Sequence, residues 1–526
     1  MGKKDKNKKK GKGAEKTAAK TEKKESNKMK KKLAAMGEDD VEKIIAQIEK
    51  EDSKRLQVKI VKVEPPSRRI NFSFIPHPDK EELILFGGEF FNGQKTFLYN
   101  DLFLYNISNG TWSIVKAPGG PPPRCGHQMV ASSANKGQLW VFGGEFASPT
   151  QSQFYHYKDL WVLHLSTNQW EKITSSNGPS ARSGHRMVYL KKQLIVFGGF
   201  HDNLRDYKYF NDVYSFNIET YKWTKLEPTG TGPSPRSSCC MIPLNDGKIL
   251  IYGGYCKEKI KKDLDKGHVY SDSYLLVPDK NDTTGTKWKW MQTKLGGIHL
   301  TQRSGMSNAL APNNTAYTFG GVFDIEEEET INSTFLNEFY MLDLGTLSWR
   351  NVTLSGSKKE KEIKSRRRKD KNENPNDDDD NEEEKMDTDE TETSTQPTVV
   401  ADDGIFTVTV GPATVDNSAS AVIKSDKPDI FQPSARMNCG LAVKHGILYL
   451  YGGMFEDGDR QSTLSDFYSL DLRKLDEWKT LINDSQAQEW LESESESEEE
   501  GTGSSEEDEA SDNDDDDDNE DVMQTE

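Results

Sequence analysis

No stretch of about 18 apolar residues occurs in the 526-residue chain, which excludes a membrane-spanning helix. The cysteines, Cys125, Cys239, Cys240, Cys256 and Cys439, are odd in number and form no C-x-x-C pair. They make neither a zinc framework nor a complete disulfide set, and they fit the reduced thiols of a cytoplasmic or nuclear protein. The first residues carry Lys where a secretion signal needs an apolar stretch, and Met1-Gly2 lacks the following Ser or Thr of a myristoylation signal. Without secretion, the sequons at Asn106, Asn332 and Asn351 are expected to stay unmodified. No phosphate loop, H-E-x-x-H or G-x-S-x-G is present. Only 33% of the residues are hydrophobic against 30% charged, so part of the chain is expected to lie outside any packed core.

Charge is distributed in blocks. Residues 1–32 hold 15 Lys and 4 acidic residues, whereas 483–526 hold 21 acidic residues and no Lys or Arg. The tail's −21 outweighs the arm's +11, and the remaining −8 of the net −18 is spread over residues 33–482. The expected organisation is a basic disordered arm (1–38), a short helix (39–55), a folded body (56–482) with a low-complexity insertion (355–430), and an acidic disordered tail (483–526). The helix rests on Val41, Ile44, Ile45 and Ile48, which share one face.

The body repeats. A Gly pair follows an apolar run at Gly87-Gly88, Gly143-Gly144, Gly198-Gly199, Gly253-Gly254, Gly320-Gly321 and Gly452-Gly453. Before each pair lies an Arg: Arg69, Arg124, Arg182, Arg236, Arg303 and Arg436. After it come a loop, an acidic residue opening an aromatic-rich strand, and a Trp: Trp112, Trp170, Trp223, Trp290, Trp349 and Trp478. Short apolar and aromatic runs bounded by Gly, Pro, Asn and Asp predict strands. Four strands per unit of roughly 50 residues is the arithmetic of a β-propeller blade. The fold class expected is all-β, a six-bladed propeller with Gly pairs ending strands and Trp wedged between blades. Ring closure stays open at this point: Leu56–Val63 and Glu477–Ile482 are both candidates to complete the sixth blade.

Arg124-Cys-Gly-His127 and Arg182-Ser-Gly-His185, with the Gly pairs and the spaced Trp, resemble the kelch repeat over about 68–353 and 431–482. The strings FGGEFFNGQKTFLYNDL and GGF…RDYKYFNDVY are similar to the kelch domain-containing protein four family. The Gly-His part is lost after Arg236 and Arg436. Some kelch-like propellers are enzymes, but the nine His are scattered, and His127 and His185 read as packed structural residues. No catalytic, metal-ligating or cofactor-binding residue is assigned.

With the strands of a unit labelled a to d, the b–c and d–a connections share one face. Its loops offer Phe90, Phe91, Lys95, Tyr99, Phe154, Tyr155, Tyr157, Arg205, Tyr207 and Tyr209 as candidate partner-binding residues. The fourth loop is basic, and the fifth and sixth are acidic. The insertion, a lengthened d–a link, is expected on that same face, with Gly404–Val410 as a possible strand. The function expected is a non-enzymatic protein-interaction scaffold, with basic, RNA-associated proteins among its candidate partners, RNA contact through the Lys-rich arm, no membrane and a monomeric state. The alternatives are a substrate receptor of a ubiquitin ligase and, more remotely, a propeller enzyme.

Overall fold

A computed structural model describes residues 40–54, 57–202, 206–261, 264–326, 331–356, 399–402, 407–409, 430–458 and 460–484. Among these, six sheets of four or five strands follow one another along the chain. Their second strands are the apolar runs that precede the Gly pairs, and Leu83, Leu139, Leu194, Leu250 and Leu448 within them are fully buried. A strand that is apolar on both faces needs cover on both. Each sheet obtains it by packing between two neighbours.

The inner strands are Ser73–Pro76, Gln128–Ser132, Arg186–Leu190, Cys240–Pro243, Ser307–Ala311 and Gly440–Lys444. Each touches the next, and Gly440–Lys444 touches Ser73–Pro76, so the circle closes. Between successive sheets lies a separate hydrophobic cluster, including one that joins the last sheet to the first. In each, the Trp of one repeat packs on the aromatic residue that precedes the Gly pair of the repeat before it. The pairs are Trp170–Phe86, Trp223–Phe142, Trp290–Phe197, Trp349–Tyr252 and Trp478–Phe319, with ring centroids 5.4–6.2 Å apart. Trp112 on Tyr451, at 5.8 Å, completes the set across the junction of the chain ends. Such aromatic pairs contribute about 0.5–1.5 kcal/mol each beyond the area they bury.

The two candidates for closure separate. Lys479–Ile482 pairs with Arg460–Asp471 and finishes the sixth sheet. Lys59–Val63 pairs instead with Thr111–Lys116 and adds a fifth, outermost strand to the first sheet. Among the described residues no sheet mixes strands from both ends. The ends are joined by side chains: Arg68 grips Asp484 through its two terminal guanidinium nitrogens, Asp484 also accepts from the Ser465 amide, and the Tyr451 hydroxyl donates to the Pro66 carbonyl.

The helix α1 (Val41–Asp52) is capped by Asp40, whose side chain accepts from the Glu42 amide. Its apolar face, Val41 and Ile45 with Ile44 and Ile48, docks on Phe146, Tyr155, Tyr157 and Leu98 of the first two b–c hairpins. The insertion leaves elsewhere than the expected face. The Ser355 and Gly356 amides donate to the carbonyls of Leu475 and Asp476 in the c–d connection of the sixth sheet, at the opposite end of the strands from the b–c hairpins. Residues 352–356 thus run past the sixth sheet to its c–d connection, away from the loop face. Within the insertion, Val399–Asp402 and Thr407–Thr409 pair antiparallel. The rest of Gly404–Val410 lies outside the described residues.

Candidate functional site

The loop face is built on a device repeated in every unit. Each repeat Arg is buried, with 0–6% of its surface exposed. Arg124 donates to the Gly143 carbonyl and to both oxygens of Asp159, the acidic residue that opens strand c. Arg182 does the same with Gly198 and Asp212, Arg236 with Gly253 and Asp272, and Arg436 with Gly452 and Asp466. Arg303 meets Gly320 and Glu338. In the first repeat the grip is looser, with Arg69 3.7 Å from Asp101. The sequence shows the Arg, the Gly pair and the acidic residue as separate parts, and the fold brings them to one point. Burial alone pushes the Asp159 carboxyl up, but Arg124 beside it holds it below its ordinary value.

An aromatic ring completes each device. The Arg69 guanidinium lies 4.0 Å from the centroid of Tyr99, Arg124 4.0 Å from Tyr157, Arg182 4.0 Å from Phe210, and Arg236 3.8 Å from Tyr270. This reassigns two candidate residues. Tyr157 is buried, sits under Arg124 and is covered by α1, so it has no face for a partner. Tyr99 is committed to Arg69.

The second residue after each Arg makes the turn into the inner strand with a left-handed backbone. Its φ is 54° at Asn71, 61° at Gly126 and Gly184, 53° at Ser238, 65° at Gly305 and 51° at Asn438. These turns bond to one another around the axis: the Gly126 amide donates to Asn71, Gly184 to Gly126, Ser238 to Gly184, and Asn438 to Gly305. Repeats that lose the Gly-His pair thus keep the turn, because Asn and Ser reach this conformation through local hydrogen bonding. The Gly or Asn two places after five of the six Arg was the signal for it. His127 and His185 pack edge-on against Phe86 and Phe142. Burial holds His127 neutral, lowering it to about 3, and pushes His185 well below its ordinary value. Gly144 must be glycine: its φ is +95°, and a Cβ would lie 2.7 Å from the Cys125 carbonyl oxygen.

The remaining candidates fall into three groups. Phe90 stacks on Phe97 at 6.3 Å in the first hairpin, where Phe91 is half-buried and Lys95 is exposed at the turn. Phe154 and Tyr155 belong to the second hairpin, and Tyr155 packs against α1. Tyr207 and Tyr209 join Phe200 and Tyr255 in a contiguous aromatic surface, with centroids 5.7–6.3 Å apart, and the Tyr207 hydroxyl donates to Asp265 at 2.8 Å. Arg205 lies outside the described residues. Strands b and c of the fourth and sixth sheets run on past their Gly pairs into long hairpins, Ile249–Lys261 with Leu264–Pro278 and Ile447–Asp457 with Arg460–Asp471. The first carries exposed Lys257, Lys259 and Lys266, and the second exposed Glu456 and Asp457.

Two half-buried carboxylates line the rim on the first two repeats. Glu89 accepts from Asn71, and Glu145 accepts from Ser183. Burial raises Glu145 to about 8, and the charge of Glu89 adds to the shift.

Repeated blades, Gly pairs and buried Arg–carboxylate devices define a kelch-type β-propeller. A family model described as "FBX42, beta-propeller domain" matches residues 69–276. The chain is 28% identical over 177 residues to Kelch domain-containing protein 3 of Homo sapiens, covering 33% of this chain and 44% of that protein. It is 26% identical over 300 residues to Host cell factor of Drosophila melanogaster, covering 52% and 18%. It is also 27% identical over 253 residues to the Dynein alpha chain, flagellar outer arm, of Chlamydomonas reinhardtii, covering 46% and 5%. The chain thus spans less than half the length of each of these relatives.

Proposed function

We propose that the chain is a non-enzymatic interaction scaffold, a six-bladed ring that holds partner proteins on its b–c hairpin face. The observation that carries this reading is aromatic surface on that face which the fold does not use. Phe97 is 44% exposed beside Phe90, and the Phe200–Tyr209–Tyr255 surface is only partly covered. Aromatic side chains of this kind are favoured interface anchors. The basic hairpin of the fourth sheet and the acidic one of the sixth flank it, which suits a partner of matching polarity. The acidic tail begins at Asp484, held beside Ser465 on the same face, and its 21 acidic residues favour basic, RNA-associated partners. The strings quoted above support kinship with the kelch domain-containing protein four group.

The test is proximity labelling with the full chain and with a Phe97→Asp/Tyr209→Ser variant. The expected result is a set of labelled proteins that the variant loses. Unchanged labelling refutes the assignment of this face, and co-purification of a cullin replaces the scaffold reading with a ligase receptor.

A further inference from the structure

The outermost strands of the sheets differ in what they leave exposed. In the second and third sheets the exposed positions are polar: Gln169, Glu171 and Lys172, then Lys222, Thr224 and Lys225. The outermost strands of the first and sixth sheets, beside the chain ends, break that rule. Val61 of Lys59–Val63 is 43% exposed, and Leu481 of Lys479–Ile482 is 41% exposed. Between these strands lies a groove of about 260 Å³, lined by Val63, Tyr105, Trp112, Phe467, Leu481 and Ile482. Val61, two residues before Val63, is on the same face of its strand. Exposed Lys59, Lys62 and Lys479 stand on the two bordering strands, and Glu64 is the one acidic residue among the described lining.

Apolar surface left open at a sheet edge invites a covering segment. The chain carries one close by. Ile482 lines the groove, and two residues later Asp484 is held by Arg68 and by the Ser465 amide. The tail therefore leaves from the groove's own wall. Its large apolar residues are Trp490 and Leu491, then Val522 and Met523 near the end. Trp490 is six residues beyond Asp484, a reach of up to about 20 Å. Glu489, Glu492 and Glu494 surround the Trp-Leu pair with charge opposite to that of the three Lys. We propose that residues 489–492 of the chain's own tail dock in this groove and clasp the two ends of the ring together. Trp490 and Leu491 cover Val61, Val63 and Leu481, while the flanking Glu meet Lys59, Lys62 and Lys479. The acidic run from Glu494 then starts at the outer wall of the ring, and the hairpin face assigned above stays open.

The test is hydrogen exchange of the full chain, compared with a Trp490→Ser/Leu491→Ser variant. Both changes lie beyond the sheets, so the ring keeps its fold. In the parent, residues 489–492 are expected to exchange about tenfold or more slower than an unstructured chain. In the variant, exchange is expected to quicken across Lys59–Val63 and Lys479–Ile482, with the inner strands unaffected. A second measurement identifies the occupant. The native cysteines are all buried, so mild oxidation of Val61→Cys/Leu491→Cys is expected to form a disulfide within one copy of the chain. Exchange of residues 489–492 at the unstructured rate, or unchanged exchange of Lys59–Val63 in the variant, overturns the proposal. A disulfide that joins two copies also overturns it, by giving the groove to a neighbouring molecule's tail.

Discussion

Arg124 shows how one side chain does several jobs. It ties the end of strand b to the start of strand c through Gly143 and Asp159, and it stacks on Tyr157. Asp159→Ala would leave that guanidinium buried without its counter-charge, at a cost of about 3–5 kcal/mol. The paired change Arg124→Met/Asp159→Met should cost much less, because neither charge then needs compensation. Urea unfolding midpoints of the three proteins test the ordering. Glu145 gives a pH signature. Its folded value of about 8 lies above its ordinary 4.5, so the stability it contributes is present below pH 4.5 and lost as pH rises toward about 8. Glu145→Gln should therefore gain thermal stability over the parent, by a margin that widens across that window. His127 acts in the opposite sense: its depressed value makes stability fall as pH drops from about 6.5 toward about 3. Parallel melting curves for Glu145→Gln and the parent at every pH would show that Glu145 is ionised in the fold.

At the scale of elements, the sheets were legible and the helix only half so. Apolar runs ending in Gly pairs specify strands directly, because the side chains need burial on both faces and the Gly backbone permits the exit. The helical face of Val41, Ile44, Ile45 and Ile48 was also plain, but not its seat, since the groove that receives it is made by Phe146, Tyr155, Tyr157 and Leu98 from two different hairpins. For that reason Tyr155 and Tyr157 read as free surface when the chain's own helix covers them. Ile45→Asp should release α1, and hydrogen exchange should then quicken across Phe154–His156 while the inner strands are unaffected. Exchange unchanged in that hairpin would mean that the helix does not shield it. Trp223→Ala should cost about 3–5 kcal/mol, since the indole fills the junction between the second and third sheets.

At the scale of the whole molecule, the repeat arithmetic anticipated a ring but not the way its ends meet. Lys59–Val63 occupies the same place before Arg69 that the Trp strands occupy before the other repeat arginines, yet it pairs in the first sheet. The difference lies in contacts between residues hundreds of positions apart, such as Arg68 with Asp484 and Trp112 with Tyr451, which no local pattern encodes. The exit of the insertion was misplaced for a related reason: strand alternation fixes where a link starts, not the path it takes along its neighbour. What the ring presents is a hairpin face with spare aromatic surface, opposite charges on two long hairpins and an acidic tail rooted beside it. The most direct test of that account is a hydrogen-exchange footprint of the full chain bound to a partner recovered by proximity labelling. Protection is expected on the hairpins Glu89–Phe91/Thr96–Leu98 and Phe200–Asp202/Tyr207–Tyr209. Protection confined to the opposite c–d turns, between Asn106 and Thr111 and between His164 and Gln169, would contradict it.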